Sequence, residues 1–289
     1  MDIKAIEDYL NIESQRYPHP TLDALNYYME RFMLTVPFEN ISVQNKEKIS
    51  VDLDYLFNKF IYQHRGGFCY EMNHFFGSYL EAKGFKVFRM SATVHQPNGN
   101  YSPKGSHLSL VVLINNGYYI ADVGFGDLPL QALPITSIEA TQIVFEKTGQ
   151  FRAIFETPTT YLLQKLEETT WVTRYKAEFI SRDIHDFDKM INYNTSHPES
   201  IFVKQLMITK PQNFGRATMS YYHLTLTKRY KKEQFAVTRE NYKDFLKTYF
   251  NLDVTILPLE KWIHLLLSRN NSNEVKTMSD IEIIEQHKI

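Results

Sequence analysis

Apolar residues change their period once along this chain, near Phe85, and that change limits what it can fold into. Before it, Ile3, Ile6 and Leu10, then Leu22, Leu25, Tyr28, Met29 and Phe32, recur at helical spacing, with Thr21 placed to cap the second helix. "VDLDYLFNKFIYQ" continues the pattern, and "CYEMNHFFGSYLEAKG" carries Met72, Phe75, Phe76, Tyr79 and Leu80 toward a C-cap at Gly84. Beyond Phe85, "FKVFRMSATVHQ", "HLSLVVLI", "YYIADVGF", "TGQFRAIFET", "YLLQKLEE" and "WVTRYKAEF" read as short strands separated by turn clusters such as "PNGN" and "NNG", the pattern of an antiparallel sheet or barrel. A polar stretch, "DFDKMINYNTSHPES", sets a boundary near residue 190. After it comes a mixed tail of strands ("FVKQLMIT", "TMSYYHLTLT", "EQFAVT") and helices ("NYKDFLKTYF", "LEKWIHLLLSRN").

Composition narrows the function. At 289 residues there is chain for two or three structural units or one elaborate enzyme core. Net charge is -1 without a sustained basic stretch, so the electrostatic footprint of a nucleic-acid binder is missing. The opening "MDIKAIEDYLNIES" lacks a basic segment followed by an apolar one, so no secretory signal is expected, and no apolar run nears the roughly 20 residues of a membrane span. A single cysteine makes no internal disulfide and no cysteine-based metal site, which suits a reducing cytoplasm. Twenty Phe and nineteen Tyr suit both a sheet-rich core and a pocket for flat ligands. Nothing in the sequence specifies an oligomeric state.

That one cysteine, Cys69, follows Gly66 and Gly67 and opens the helix of "RGGFCYEMN". A helix start favours the nucleophilic thiolate, because unpaired N–H groups and the macrodipole stabilise negative charge there. A buried small filler is the competing reading for a lone cysteine. A working cysteine needs a histidine to take its proton and a third group to orient that histidine. His107 opens the strand "HLSLVVL", and Asp122 lies in the next one, "YYIADVGFG". A two-residue turn at Asn115 and Asn116 sets Asp122 opposite Ser109, diagonal to His107 on one face. A turn at Asn116 and Gly117 sets it opposite Val111, two residues further away, and both turns suit the sequence. Asp122 also follows the apolar run "YYIA", where a charge needs a partner. His64 and His74 are nearer in sequence, but His74 lies five residues along the same helix and points to another face.

With "VPFEN" at 36–40, "RGGFCYEMN" at 65–73, "HLSLVV" at 107–112 and "DVGFG" at 122–126 in order, the chain resembles the arylamine N-acetyltransferases. The likeness is specific over about residues 20–130 and looser onward through "SHPESIF" at 196–202. It implies an α+β fold in three parts: a helical bundle over 1–85 bearing the cysteine, a β-barrel over 86–190 bearing histidine and aspartate, and an α/β lid over 191–289. It implies a Cys69, His107, Asp122 triad, arranged as in cysteine proteases, that transfers acetyl from acetyl-CoA to arylamines, arylhydrazines or N-hydroxyarylamines through an acetyl-Cys69 intermediate, without a metal. Phe38 and Phe125 fall in motifs that line the acceptor pocket, and "YSPKGSH" matches a loop near CoA, where Ser102, Lys104 and Gly105 could reach phosphate. Pro103 and Lys104 depart from some relatives there. Gly124 and Gly126 are expected to permit backbone approach to the pantetheine end, and "KRYKKE" at 228–233 to be a solvated turn. The expected partners are acetyl-CoA and a small aromatic amine or hydrazine, of xenobiotic or natural-product origin. The same three side chains also serve amide synthases and thiol hydrolases or transglutaminase-like enzymes; a ligand carrier or thiol sensor on this fold is a third reading.

Overall fold

In the computed structural model, which describes residues 1–96, 99–228 and 231–260, helices dominate up to residue 82 and strands take over at 86. Helices α1 (Ile3–Leu10) and α2 (Leu22–Thr35) open on side-chain caps, Asp2 accepting from the Ala5 N–H and Thr21 from that of Ala24. A two-residue strand β1 (Phe38–Glu39) and a short helix α3 (Ile41–Gln44) follow, and α4 (Leu53–Phe57) begins at its own cap, Asp52. Helix α5 (Cys69–Ala82) starts at the cysteine and is buried without interruption from Cys69 to Leu80. The chain leaves it through Gly84 at φ +85°, a conformation open to glycine at little cost.

Eight strands come next: β2 (Lys86–Val94), β3 (His107–Ile114), β4 (Gly117–Ile120), β5 (Leu133–Thr136), β6 (Val144–Glu146), β7 (Gly149–Thr157), β8 (Thr160–Glu167) and β9 (Thr170–Ser181). They run in the order β5-β4-β3-β2-β9-β8-β7, and β5 pairs back in parallel with β7, closing seven strands into a barrel with β6 attached beside β7. Strands β5 and β6 are too short for the alternation that marks the others in sequence. "HLSLVVLI" reads as nearly continuous apolar because both faces of β3 are covered. Leu108, Leu110, Val112 and Ile114 join the helical core, while Val111 joins Met90, Phe151, Tyr161 and Tyr175 in the barrel core.

The β3–β4 hairpin takes the first of the two open registers. Asn115 and Asn116 hold φ +48° and +65°, and Ile114 pairs with Gly117. Two consecutive positive φ values give the turn whose twist matches flanking strands.

The polar stretch after the barrel is helix α6 (Asp188–Ser196), which spans residue 190. "FVKQLMIT" divides, because Ser200 accepts from the Phe202 N–H and starts helix α7 (Ile201–Lys204) before strand β10 (Ile208–Gln212) begins. "TMSYYHLTLT" also divides, into β11 (Gly215–Met219) and β12 (His223–Lys228); β13 (Lys231–Ala236) and α8 (Tyr242–Phe245) follow. The sheet is ordered β1-β10-β11-β12-β13, so "VPFEN" from the helical part supplies its first strand, with Phe38 opposite Thr209. One face packs Ile208, Met219, Leu224 and Leu226 against Tyr242, Leu246 and Phe250.

Parts of "PNGN" and "KRYKKE", and the helix expected over "LEKWIHLLLSRN" beyond Glu260, lie outside the described residues. Among the described residues no helix is long and apolar enough to cross a membrane.

Candidate active site

Two glycines let the chain fold tightly ahead of Cys69. A Cβ on Gly66 would lie 1.9 Å from the Pro37 carbonyl oxygen, and one on Gly67 2.8 Å from Oε2 of Glu71. The Glu39 N–H donates to the Gly67 carbonyl at 2.9 Å, which ties β1 to this loop. Beneath it lie two buried ion pairs, Arg65 to Glu39 at 2.9 Å and Lys59 to Glu71 at 2.7 Å. Burial alone would lower the Lys59 pKa, but the Glu71 and Glu39 carboxylates outweigh it and hold it above the usual lysine value. Each carboxylate also serves a backbone donor: Glu71 accepts from the Phe68 N–H at 3.2 Å and Glu39 from that of Ile41 at 2.6 Å.

Cys69 therefore occupies the first residue of α5, 2% exposed, at the wall of a cavity. His107 begins β3, and its Nε2 lies 2.6 Å from Asp122 Oδ2. The Cys69 thiol is a neighbour close enough to raise the imidazole pKa; with Nε2 given to the carboxylate, Nδ1 is the nitrogen left to serve sulfur. The β3–β4 register brings Asp122 there, since the ladder continues past Ile120 opposite Val111 with the Ala121 N–H donating to the Leu110 carbonyl at 2.9 Å.

All the acceptor capacity of Asp122 is used. Oδ1 accepts from Asn73 Nδ2 at 2.8 Å and the Gly124 N–H at 3.0 Å, and Oδ2 from His107 and from the Tyr175 hydroxyl at 3.1 Å. Burial works against the carboxylate, but His107, Asn73 and Gly124 hold its pKa below the usual value. Burial likewise works against a charged His107, yet Asp122 and then Cys69 push it up to about 10. An imidazole placed so can receive a proton from the thiol while the carboxylate fixes its tautomer and orientation.

Neither other histidine competes. His74 Nδ1 accepts from Arg89 Nε at 3.1 Å, and burial, followed by Arg89, pushes its pKa down to about 4. His64 stacks on Tyr9 with centroids 4.8 Å apart. Asn73 and Tyr175 complete the set around Asp122, beyond the three residues that the sequence singles out. Asn73 had a signal, since it lies four residues after Cys69 on the same helical face; Tyr175, from a strand 53 positions beyond Asp122, had none.

The cavity measures about 540 Å³ and is mostly apolar. Phe38, Phe125 and Phe202 face it, as do Ser102 and Gly124. Gly124 packs on the Cys69 backbone, where a Cβ would come within 3.0 Å of Cys69 Cα. Three other expected contacts are not among the lining residues. The Lys104 ammonium lies 2.5 Å from Glu178 and is 74% exposed. Gly105, at φ +77°, backs onto Ser91 and Met190, and Gly126, at φ +99°, abuts Thr209 and gives its carbonyl to the Arg216 guanidinium. In "KRYKKE", Lys228 and Lys231 both pair with Glu233. Among the described residues no cluster of His, Cys, Asp or Glu could hold a metal ion.

A family described as N-acetyltransferase matches residues 21–258. The arylamine N-acetyltransferase / N-hydroxyarylamine O-acetyltransferase of Salmonella typhimurium is 29% identical over 208 residues, covering 71% of this chain and 73% of that protein. A crystal structure of an arylamine N-acetyltransferase from Bacillus cereus, said to reveal a unique Cys-His-Glu catalytic triad, matches with a TM-score of 0.79 at 27% identity, over 88% of this chain and 100% of that one. The Mycobacterium marinum arylamine N-acetyltransferase in complex with CoA shares the fold, with a TM-score of 0.78 at 24% identity over 87% of this chain and 93% of that one.

Proposed function

The chain belongs to the arylamine N-acetyltransferases, and from that premise we propose that Cys69, His107 and Asp122 move an acetyl group from acetyl-CoA to an arylamine, arylhydrazine or N-hydroxyarylamine. The observation that carries the assignment is the buried set of thiol, imidazole and carboxylate, with His107 hydrogen-bonded to Asp122 at 2.6 Å and both Cys69 and His107 lining a mostly apolar cavity.

In the first half-reaction His107 takes the thiol proton as Sγ attacks the thioester carbonyl. The C–S bond to CoA breaks, the CoA sulfur receives that proton, and acetyl-Cys69 remains. In the second, the acceptor nitrogen attacks the acetyl carbon, its surplus proton passes to His107, and the Cys69 sulfur leaves and regains a proton. Asp122 stabilises the imidazolium at both stages. The kinetics are ping-pong. The Cys69 N–H, at the first residue of α5, is the natural donor to the oxyanion of each tetrahedral intermediate.

Arylamines are mostly neutral near pH 7, so the acceptor needs aromatic walls rather than a carboxylate anchor, and Phe38 and Phe125 supply them. Ser102, on the cavity wall, suits the CoA arm, whereas Lys104, out at the surface beside Glu178, suits the charged phosphate end. Gly105 and Gly126 serve through the turns they permit. A reducing cytoplasm is the compartment that would keep such a thiol working. The family match over residues 21–258 weighs against a hydrolase.

Intact mass after mixing with acetyl-CoA is the test. One acetyl group per chain should appear, leave on adding an aromatic hydrazine, and be absent from Cys69→Ser. Turnover by Cys69→Ser, or peptide cleavage without CoA, would sink the assignment.

A further inference from the structure

Helix α6 brings Asn194 to the cavity, 5% exposed, and the hydrogen bonds around its amide decide which atom the cavity sees. The Tyr70 hydroxyl donates to the Gly105 carbonyl at 2.8 Å, so its one proton is committed. Tyr70 must then accept from Asn194, and Nδ2 does approach it at 3.1 Å while also facing the Ser106 carbonyl at 3.5 Å. Both neighbours demand a donor, which fixes Nδ2 on that side. Oδ1 is left over, and among the described residues nothing donates to it. It is also not sealed from solvent as an orphaned atom, so it presents to the cavity as a free acceptor in a mostly apolar wall.

The geometry points to Asn194 as a residue that binds the acetyl donor: Oδ1 accepts a hydrogen bond from a pantetheine amide N–H of acetyl-CoA. This rests on the two-step transfer proposed above. The placement favours the donor over the amine. The Asn194 side chain is tied to Ser106, next to His107, and through Tyr70 to Gly105, in the loop that carries Ser102. It has no such tie to Phe38 or Phe125, the aromatic walls of the acceptor. An apolar wall with one fixed acceptor also discriminates well, because a donor lacking the N–H leaves that acceptor unpaired.

Ping-pong kinetics make the claim separable. The kcat/KM for a donor covers only acetylation of free enzyme, and that for the amine covers only the return from acetyl-Cys69. Asn194→Leu should lower kcat/KM for acetyl-CoA and for S-acetyl-N-acetylcysteamine, which keeps an amide N–H, by about tenfold. With p-nitrophenyl acetate and ethyl thioacetate, which have no N–H, and for the amine step, it should stay within about twofold of the parent. All ratios come from one preparation, so an inactive fraction cancels. If the leucine variant does not fold, Asn194→Ser answers the same question. Equal loss on all donors would overturn the proposal in favour of a purely structural clamp, and loss confined to the amine step would overturn it in favour of an acceptor contact. Absence of acetyl-Cys69 in the parent protein would instead overturn the reaction itself, and this contact with it.

Discussion

Two sets of buried charges flank the first turn of α5, and they are built on one plan. Glu71 and Glu39 each give one oxygen to a backbone N–H and the other to a cation, and Asp122 likewise serves the Gly124 N–H with Oδ1 and His107 with Oδ2. What differs is the cation and what it faces. Lys59 and Arg65 keep their protons throughout the physiological range, and neither lines the cavity, so their pairs can only hold the "RGG" loop in place. His107 faces the cavity and the sulfur, and an imidazole can give up and regain a proton within a catalytic cycle. The same desolvation is met in both places, but under the proposed function only the His107–Asp122 pair takes part in the chemistry.

Removing the carboxylate from the catalytic set should have the largest effect. Asp122→Asn keeps the shape but leaves His107 without the charge that orients and stabilises its imidazolium. Acetylation should fall by about 10³- to 10⁴-fold, as expected for a triad stripped of its acid. The thiol should still be alkylated, and thermal stability should fall far less than activity. A loss under tenfold would mean that the two charge sets are not functionally distinct.

Breaking the structural set should reverse that profile. Lys59→Met leaves Glu71 buried without its cation, which costs about 3–5 kcal/mol of stability when one partner of a buried pair is lost. Denaturant unfolding would read that loss. Per folded molecule, counted by burst acetylation, the rate should stay within a few-fold of the parent. A rate loss matching Asp122→Asn at unchanged stability would show that Lys59 belongs to the chemistry.

The contrast also marks where sequence stopped being informative. Cys69, His107 and Asp122 stand out locally, at a helix start, at a strand start and as a charge after an apolar run, but those cues permit their meeting without compelling it, and it is the family resemblance that groups them as a set. The order of helices, barrel and mixed tail was legible from hydrophobic period. The hairpin register was not, because Asn115-Asn116 and Asn116-Gly117 are both good turns, and only the packing of β3 between two cores selects one. The sequence of α7 favours strand, because Phe202 and Val203 are good strand residues, and the Ser200 cap that overrides them is a single hydrogen bond. The partners of Asp122 depend on tertiary closure. Tyr175 lies on β9, three strands from β4 in the barrel, so only the assembled sheet brings it to the carboxylate just beyond β4, and no local pattern announces it.

Stability against pH should separate the two sets next. His107 has its folded pKa raised above the ordinary value, so its contribution is complete below about 6.5 and is lost as pH rises through about 10. Asp122, held below the usual carboxylate range, contributes above that range and loses its share in acid. Lys59, raised above 10.5, gives nothing back until still higher pH. The gap in unfolding free energy between the parent and Asp122→Asn should therefore narrow between pH 7 and 10.5, while the gap to Lys59→Met stays level. Parallel narrowing of both gaps would remove the distinction.

The smallest effect should come from Tyr175→Phe, and it tests whether saturating the carboxylate matters as much as supplying it. The Tyr175 hydroxyl donates to the oxygen that also receives His107; burial, then Asp122, holds its pKa high, so it stays a donor across the working range. Without it Asp122 keeps three of its four donors, and hydrogen bonds to charged groups are worth about 1.5–3 kcal/mol, of which only the part felt at the imidazole reaches the rate. About a tenfold loss in acetylation is expected. A donor to the carboxylate favours its ionised form, so the acid limb of the kcat/KM profile should also move to higher pH in the phenylalanine variant. A rate loss with an unmoved acid limb would place Tyr175 among the packing of the barrel core, beside Tyr161 and Phe151, rather than among the groups that set the charge on Asp122.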